Sequence, residues 1–270
     1  MSKFDLISWS PFLRRLVYNL ICLRNAHCQR RMFWQDLENL KSLKGRHKGQ
    51  RCFVIGTGPS LTTTDLESLS GEVTFGTNRI YELLDKTTWR PTYYMCQDHD
   101  IIRKFGSKIE SIDAQMLFVP VEYKERFSGT NCRYFVLQER EFYPHDASFS
   151  RNVAHSISQG YTVTYGAIQL AVYMGFSEIY LIGVDHNYSV TRDHSGRPIK
   201  QNESTQNNYS QGMVEYVNMN NLPRVEESTI AYETAEKVSR RLGVRIYNAT
   251  RGGKLEAFER VSLEQLMQKQ

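Results

Sequence analysis

The chain reads as an α/β protein: a mostly parallel, Rossmann-like sheet with helices on both faces, preceded by an N-terminal helical extension. Two observations predict this. From Arg51 onward, short β-branched or apolar runs alternate with helical segments, and the runs carry almost no polar residues. Strands that are apolar on both sides belong to parallel sheets covered on both faces. In addition, glycine or polar residues follow several of these runs at once, as expected where strand ends of such a sheet line a ligand cleft.

Residues 1–50 form the extension, and 51–270 the Rossmann-like main domain. In the extension Phe12, Leu13, Leu16, Val17, Leu20, Ile21 and Leu23 recur at helical spacing, with Arg14, Arg15, Asn19, Arg24 and Asn25 between them. Pro11 after Ser10 suits a helix start. A second amphipathic piece runs from Met32 to Leu43, with Phe33, Leu37, Leu40 and Leu43 on one side. Two readings stand: a helical hairpin packed on the main domain or on a partner subunit, or a helix over residues 10–31 lying on an anionic inner membrane.

In the main domain, Cys52–Ile55 reads as the first strand and Asp65–Leu69 as helical turns. Val73–Gly76 is a second strand, Arg79–Leu84 is helical, and Tyr93–Gln97 is a third strand running into Asp98-His99-Asp100. Met116–Val119 and Tyr134–Leu137 are further strands, Thr164–Met174 a small-residue helix, and Glu178–Ile182 a strand ending at Gly183-Val184-Asp185-His186. A polar stretch of about 186–225 reads as a loop or lid. A helix (226–242), a strand (245–247) and a last helix from Ser262 follow.

The net charge of +5 is concentrated in the first fifty residues, so the fold itself offers no basic face for nucleic acid. The five cysteines are scattered, form no CxxC pair and show no zinc spacing, which indicates a reducing, cytoplasmic setting. No run has the length of a transmembrane helix, and no signal peptide is expected.

The most informative stretch is Phe53-Val54-Ile55-Gly56-Thr57-Gly58-Pro59-Ser60-Leu61: a strand, a glycine turn, then a helix whose first N–H groups are expected to face an anion. It has neither GxGxxG spacing nor a P-loop ending, and a turn whose glycines serve geometry alone is the other reading. Asn78 with Thr77, Gln97 with Asp98, and Asp185-His186-Asn187 complete four polar strand ends. Tyr188 and Tyr209, in the lid, are candidate phosphate donors.

Several blocks resemble the bacterial family once called domain of unknown function 115, the 6-hydroxymethylpterin pyrophosphokinase-like domain. They are Gly56–Leu61, Thr77-Asn78, Ile179–His186, and Ile246–Leu255 with Phe258–Val261. That family is related to the family 42 sialyltransferases, which move sialic acid from CMP-sialic acid to a glycan, and to an archaeal pyrophosphokinase that uses ATP and magnesium. The Pro-Ser form of the turn is closer to the sialyltransferase side. The resemblance implies that Gly56, Gly58 and Ser60 border CMP and that Asn78 and Gln97 line donor sugar or ribose, with Thr57, Pro59 and Asp98 joining them in the candidate nucleotide- and donor-binding set. Thr164, Gly166, Asp185, Asn187, Tyr188 and Tyr209 belong to the same set. The resemblance also implies a glycosyltransferase-like enzyme of surface polysaccharide assembly that needs no cofactor. Cysteine usage and the basic extension add the expectation of a cytoplasmic protein, peripheral on the inner membrane through residues 10–31 or a homo-oligomer through the same extension.

Two departures matter. The sialyltransferases carry a histidine base in the loop after Gly-Ile-Asp, where this chain has Asn207-Asn208-Tyr209, and Thr162 stands where they carry an arginine. Asparagine does not accept a proton at neutral pH. His186, His194 and Asp98 are the candidate bases, with Asp185 beside His186 in the catalytic set. A pyrophosphokinase alternative places magnesium on Asp98, Asp100 and Asp185, and a non-catalytic scaffold is the third reading.

Overall fold

A computed structural model describes residues 10–200 and 222–268. Tyr209, Asn207, Asn208 and the middle of the expected lid lie outside the described residues. Helix α1 (Pro11–Met32) starts at Ser10, whose side chain accepts from the Leu13 N–H at 3.3 Å, with Pro11 in its first turn. Helix α2 (Trp34–Lys41) follows. Ala26, Leu37, Leu40 and Leu43 are buried in the same core as the sheet. The Gly45, His47 and Gly49 N–H groups donate to the carbonyls of Tyr173, Met174 and Gly175, which fixes the connection to the main domain.

The eight-stranded sheet contains β1 (Arg51–Ile55), β2 (Thr74–Thr77), β3 (Tyr93–Met95), β4 (Met116–Pro120), β5 (Cys132–Phe135), β8 (Glu178–Ile182), β11 (Arg245–Asn248) and β12 (Glu259–Arg260). Its order is β12-β11-β8-β1-β2-β3-β4-β5, and every neighbouring pair is parallel. The chain runs outward from β1 to β5, then returns to the other side of β1 through β8. The β1/β8 boundary is therefore the switch point, where a crevice opens beyond the strand ends. The helices are α3 (Thr63–Ser68), α4 (His99–Glu110), α5 (Val163–Met174), α6 (Val225–Arg241) and α7 (Leu263–Gln268). Helix α5 is buried along nearly its whole length, which explains its small and apolar residues.

Three features depart from the expectations. The strand expected at 134–137 is two pieces: β5 ends at Phe135, and β6 (Leu137–Gln138) pairs instead with β7 (Ile157–Ser158) in a separate sheet. Helix α4 was not anticipated; Asp98 caps it, accepting from the Asp100 and Ile101 N–H groups, and Ile101, Ile102 and Ile109 bury one face. The segment expected as a loop from 186 includes an antiparallel hairpin, β9 (Val190–Arg192) with β10 (Pro198–Lys200). Its turn closes through Asp193, whose carboxylate accepts from the Arg197 N–H at 2.8 Å, and through Gly196 at φ 88°.

Candidate functional site

A cleft of about 740 Å³ opens beyond the carboxyl ends of β1, β2, β3 and β8. Of the residues picked from sequence, Gly56, Thr57, Gly58, Asn78, Gln97, Asp98, Thr164, Asp185, His186 and Tyr188 line it. The polar strand ends thus converge because parallel strands present all their carboxyl ends on one side.

The glycine turn is built differently from the anion cradle expected. The Gly58 N–H donates to Gly183 O at 2.8 Å. The Ser60 N–H and hydroxyl both donate to the Asp185 carboxylate, at 3.3 and 2.8 Å. A Cβ on Gly58 would lie 1.9 Å from Asp185 Oδ2, so the glycine permits the β1 turn to press onto the β8 corner. Helix α3 begins beyond the turn and its end is closed. Thr62 accepts from the Asp65 N–H and Asp65 from the Thr62 N–H, while Arg251 grips Asp65 at 2.6 and 2.7 Å. The Gly58, Ser60, Thr62 and Asp65 N–H groups are therefore engaged within the protein. Pro59 and Ser60 do not line the cleft; Ser60 locks Asp185.

Asp185 is held further by the segment after β11. The Lys254 N–H donates to Asp185 O at 2.7 Å, and the Val184 N–H to Thr250 Oγ1 at 3.1 Å. Burial raises the Asp185 carboxyl above its ordinary pKa, while the Ser60 bonds pull the other way. Gly166 sits behind the wall, where a Cβ would meet Met95 Cε at 2.6 Å and Gln97 Oε1 at 3.0 Å. It lets α5 approach the end of β3. Asn187 is also off the cleft, its Oδ1 buried without a protein partner.

Among the described residues, three non-glycine residues have a left-handed backbone: Asn78 (φ 44°), Tyr161 (φ 56°) and His186 (φ 52°). All three line this cleft. Such conformations persist only where surroundings enforce them, and they concentrate at functional sites. The Tyr94 hydroxyl donates to Asn78 O at 2.6 Å, Arg224 lies 4.8 Å above the Tyr161 ring, and His186 Nε2 is 2.7 Å from Thr229 Oγ1. Because the Thr229 hydroxyl donates to Val225 O at 2.8 Å, His186 Nε2 is assigned as the donor, leaving the Nδ1 lone pair unprotonated. Burial lowers His186 to about 4. It also pushes the Tyr188 hydroxyl upward, so Tyr188 remains a proton donor at neutral pH.

His194 is not brought to the cleft. Its ring stacks on Tyr143 at 4.8 Å and its Nδ1 is 3.5 Å from Glu226, since the hairpin turn carries it outward. Thr162, at the position of the missing arginine, lines the cleft at the start of α5, its hydroxyl 3.2 Å from the Tyr232 hydroxyl.

The sequence reading missed several lining residues: Arg192, Arg224, Tyr161 and His99. Arg192 and Arg224 lie within the stretch expected as a lid, about 186–225, where no periodicity marks a binding role. His99 directly follows Asp98; its Nδ1 bonds the Tyr123 hydroxyl at 2.7 Å, and hydrogen bonding to Glu139 raises its pKa. Asn78 Oδ1 and Gln97 Oε1 are buried without a protein partner. The lining thus brings the Arg192 and Arg224 guanidinium groups and the orphan amide acceptors into one cleft with the carboxylates of Asp98, Asp100, Glu139 and Asp185, a mixture able to bind phosphate, hydroxyl and amino groups.

A sequence model for the family described as 6-hydroxymethylpterin diphosphokinase MptE-like matches residues 25–191, more than half of the chain. The chain belongs to the MptE-like family. The match to this MptE-like chain ends at Arg192's neighbour, so it spans the glycine turn and the β8 corner but not α6. Among solved structures, the chain is similar to the sialyltransferase CstII from Campylobacter jejuni in complex with cytidine-5'-monophosphate. That similarity has TM-score 0.45 and 13% identity over 80% of this chain and 86% of the other. The same enzyme in complex with CMP-3FNeuAc gives TM-score 0.40 and 11% identity over 79% and 85%. No curated protein sequence matches.

Proposed function

We propose that this MptE-like protein is a glycosyltransferase that moves an acidic, sialic-acid-like sugar from a CMP-activated donor to a surface glycan. The observation that carries the reading is the pairing of Asn78 Oδ1 and Gln97 Oε1, buried acceptors without a protein partner, with Arg192 and Arg224 across one cleft. The amides would take hydroxyl or amino donors of the nucleoside and sugar. The guanidinium groups would take the phosphate and the sugar carboxylate. The likeness of the Gly56–Leu61 turn to that of the sialyltransferases points the same way.

In the transfer, the acceptor oxygen bonds the anomeric carbon as the bond from that carbon to the phosphate oxygen breaks. CMP leaves with the electron pair. The acceptor's proton passes to His186 Nδ1, which carries no proton while Nε2 donates to Thr229. Burial depresses the basicity of the ring, so the transfer relies on the anionic donor bound beside it to favour the imidazolium. Tyr188 and the arginines would stabilise the charge that develops on the leaving phosphate.

The family description favours one second reading, pyrophosphoryl transfer from ATP with magnesium. Its candidate ligands have other work: Asp98 caps α4, Asp185 holds Ser60, and Asp100 lies 3.8 Å from Arg103. Isothermal titration with CMP, and in parallel with ATP plus magnesium, separates the two. Metal-independent CMP binding is the expected result, and turnover of CMP-sialic acid that falls in His186→Asn would complete it. Binding of ATP only with magnesium transfers the assignment to the pyrophosphokinase. Failure of both ligands overturns both readings and leaves a scaffold of the same fold.

A further inference from the structure

Helix α1 has a surface that the described residues leave exposed. Among the described residues, the exposed large hydrophobic side chains are concentrated here: outside α1 there are only Trp34, Ile199 and Leu242. Phe12, Leu13, Leu16, Leu20 and Leu23 fall within about 100° of one another on a helix of 3.6 residues per turn. Phe12 is 66% exposed, Leu20 56% and Leu23 52%. A continuous stripe of this kind marks an interaction surface, unlike isolated exposed leucines.

The helix is held to the body by another side. Cys22 and Ala26 are buried, Arg15 Nη1 donates to Tyr143 O at 2.6 Å, and Asn19 exchanges two hydrogen bonds with the backbone of Glu141. Burial of the stripe is therefore not what keeps α1 in place.

Charge selects the occupant. Helix α1 contains Arg14, Arg15, Arg24, Arg30 and Arg31 and neither Asp nor Glu. Arg24 and Arg31 are exposed and border the stripe towards its C-terminal end. A second copy laid parallel, stripe to stripe, would bring Arg24 and Arg31 against their own counterparts with no carboxylate on either helix, and an antiparallel copy would leave those arginines without an acidic partner on the facing helix. A surface of acidic lipid accepts the apolar side chains and the cations together. No helix among the described residues is long and apolar enough to cross a membrane, so α1 would lie on the surface.

We propose that α1 docks the protein on an anionic membrane, with the Phe12–Leu23 stripe in the acyl boundary and Arg24 and Arg31 among the headgroups. The inference stands whether or not the cleft transfers a sugar. The test is co-sedimentation of the full chain with phosphatidylcholine vesicles, with and without phosphatidylglycerol. Binding is expected only with phosphatidylglycerol and should weaken as salt is raised. It should fall roughly fivefold in each of Arg24→Gln and Arg31→Gln, and be lost in the double variant Leu16→Glu/Leu20→Glu. If that double variant is shown by circular dichroism to unfold, Leu16→Ser/Leu20→Ser replaces it with the same expected loss. A chain that stays in the supernatant with both vesicles overturns the proposal, as does partitioning that none of these substitutions changes. So does a dimer in analytical ultracentrifugation that the stripe variants dissociate, which would give the surface to a second copy.

Discussion

Gly58 has no space for a side chain, because its Cα faces the Asp185 carboxylate and Gly183 O, 2.7 Å from where a Cβ would stand. Gly58→Ala must push the turn off the β8 corner and break the Ser60–Asp185 bonds. Unfolding in urea should show a loss of about 1–3 kcal/mol, the range for forcing extra volume into a packed site; an unchanged midpoint would refute this packing. His186 makes a second prediction, on pH. Its folded-state value of about 4 lies below the unfolded 6.5. Between those values the unfolded chain binds the extra proton, so the histidine's contribution is complete above pH 6.5 and is lost as pH falls towards 4. The full span corresponds to about 3 kcal/mol. Urea midpoints measured at pH 7 and pH 4.5 should differ less in His186→Asn than in the parent, asparagine being chosen because it tolerates the left-handed backbone. Equal pH dependence in the two proteins would assign the effect elsewhere.

At the scale of elements, the Asn248–Lys254 segment acts as a brace. It ties the β8 corner through Thr250 and Lys254 and closes α3 through Arg251, which also meets Glu264 at 2.6 Å. Arg251→Ala leaves the Asp65 carboxylate, 4% exposed, with only its capping bond. Removing one partner of a buried pair costs about 3–5 kcal/mol, and the partly exposed guanidinium reduces this to about 1–3 kcal/mol. Thermal unfolding of Arg251→Ala and Arg251→Lys checks it, with lysine expected to recover only part because it cannot grip both oxygens. The strands of the central sheet were legible because Val54, Ile55, Ile179 and Leu181 belong to runs that are apolar on both faces. The cleft was legible at those strands' ends for the same topological reason. Helix α4 was hidden by reading Asp98-His99-Asp100 as a loop, although Asp98 followed by the Ile101, Ile102 and Ile109 spacing is a cap and a buried face. The engagement of the turn N–H groups was not legible at all. It depends on Asp185, 125 residues from Ser60, folding back onto the turn.

Across the whole molecule, the β1/β8 switch point divides the sheet into two wings that meet only along one strand pair. The glycine turn, Asn78 and Gln97 belong to the β1–β3 wing; Asp185, His186, Arg192 and Arg224 belong to the chain after β8. A ligand satisfying the orphan amides and the arginines together must touch both, so its binding energy falls on the boundary between them. Hydrogen exchange of the protein with and without CMP follows this directly. Amides after β2 and β3, around residues 78 and 97, should slow together with those around 184–192 and at the start of α6. At a hundredfold excess of CMP over its dissociation constant, the global gain is about 2.7 kcal/mol, which places an upper bound on the slowing of any amide that opens by global unfolding. Protection limited to one wing would mean that the ligand sits on a single wall, and the two sets of polar groups would then serve different molecules.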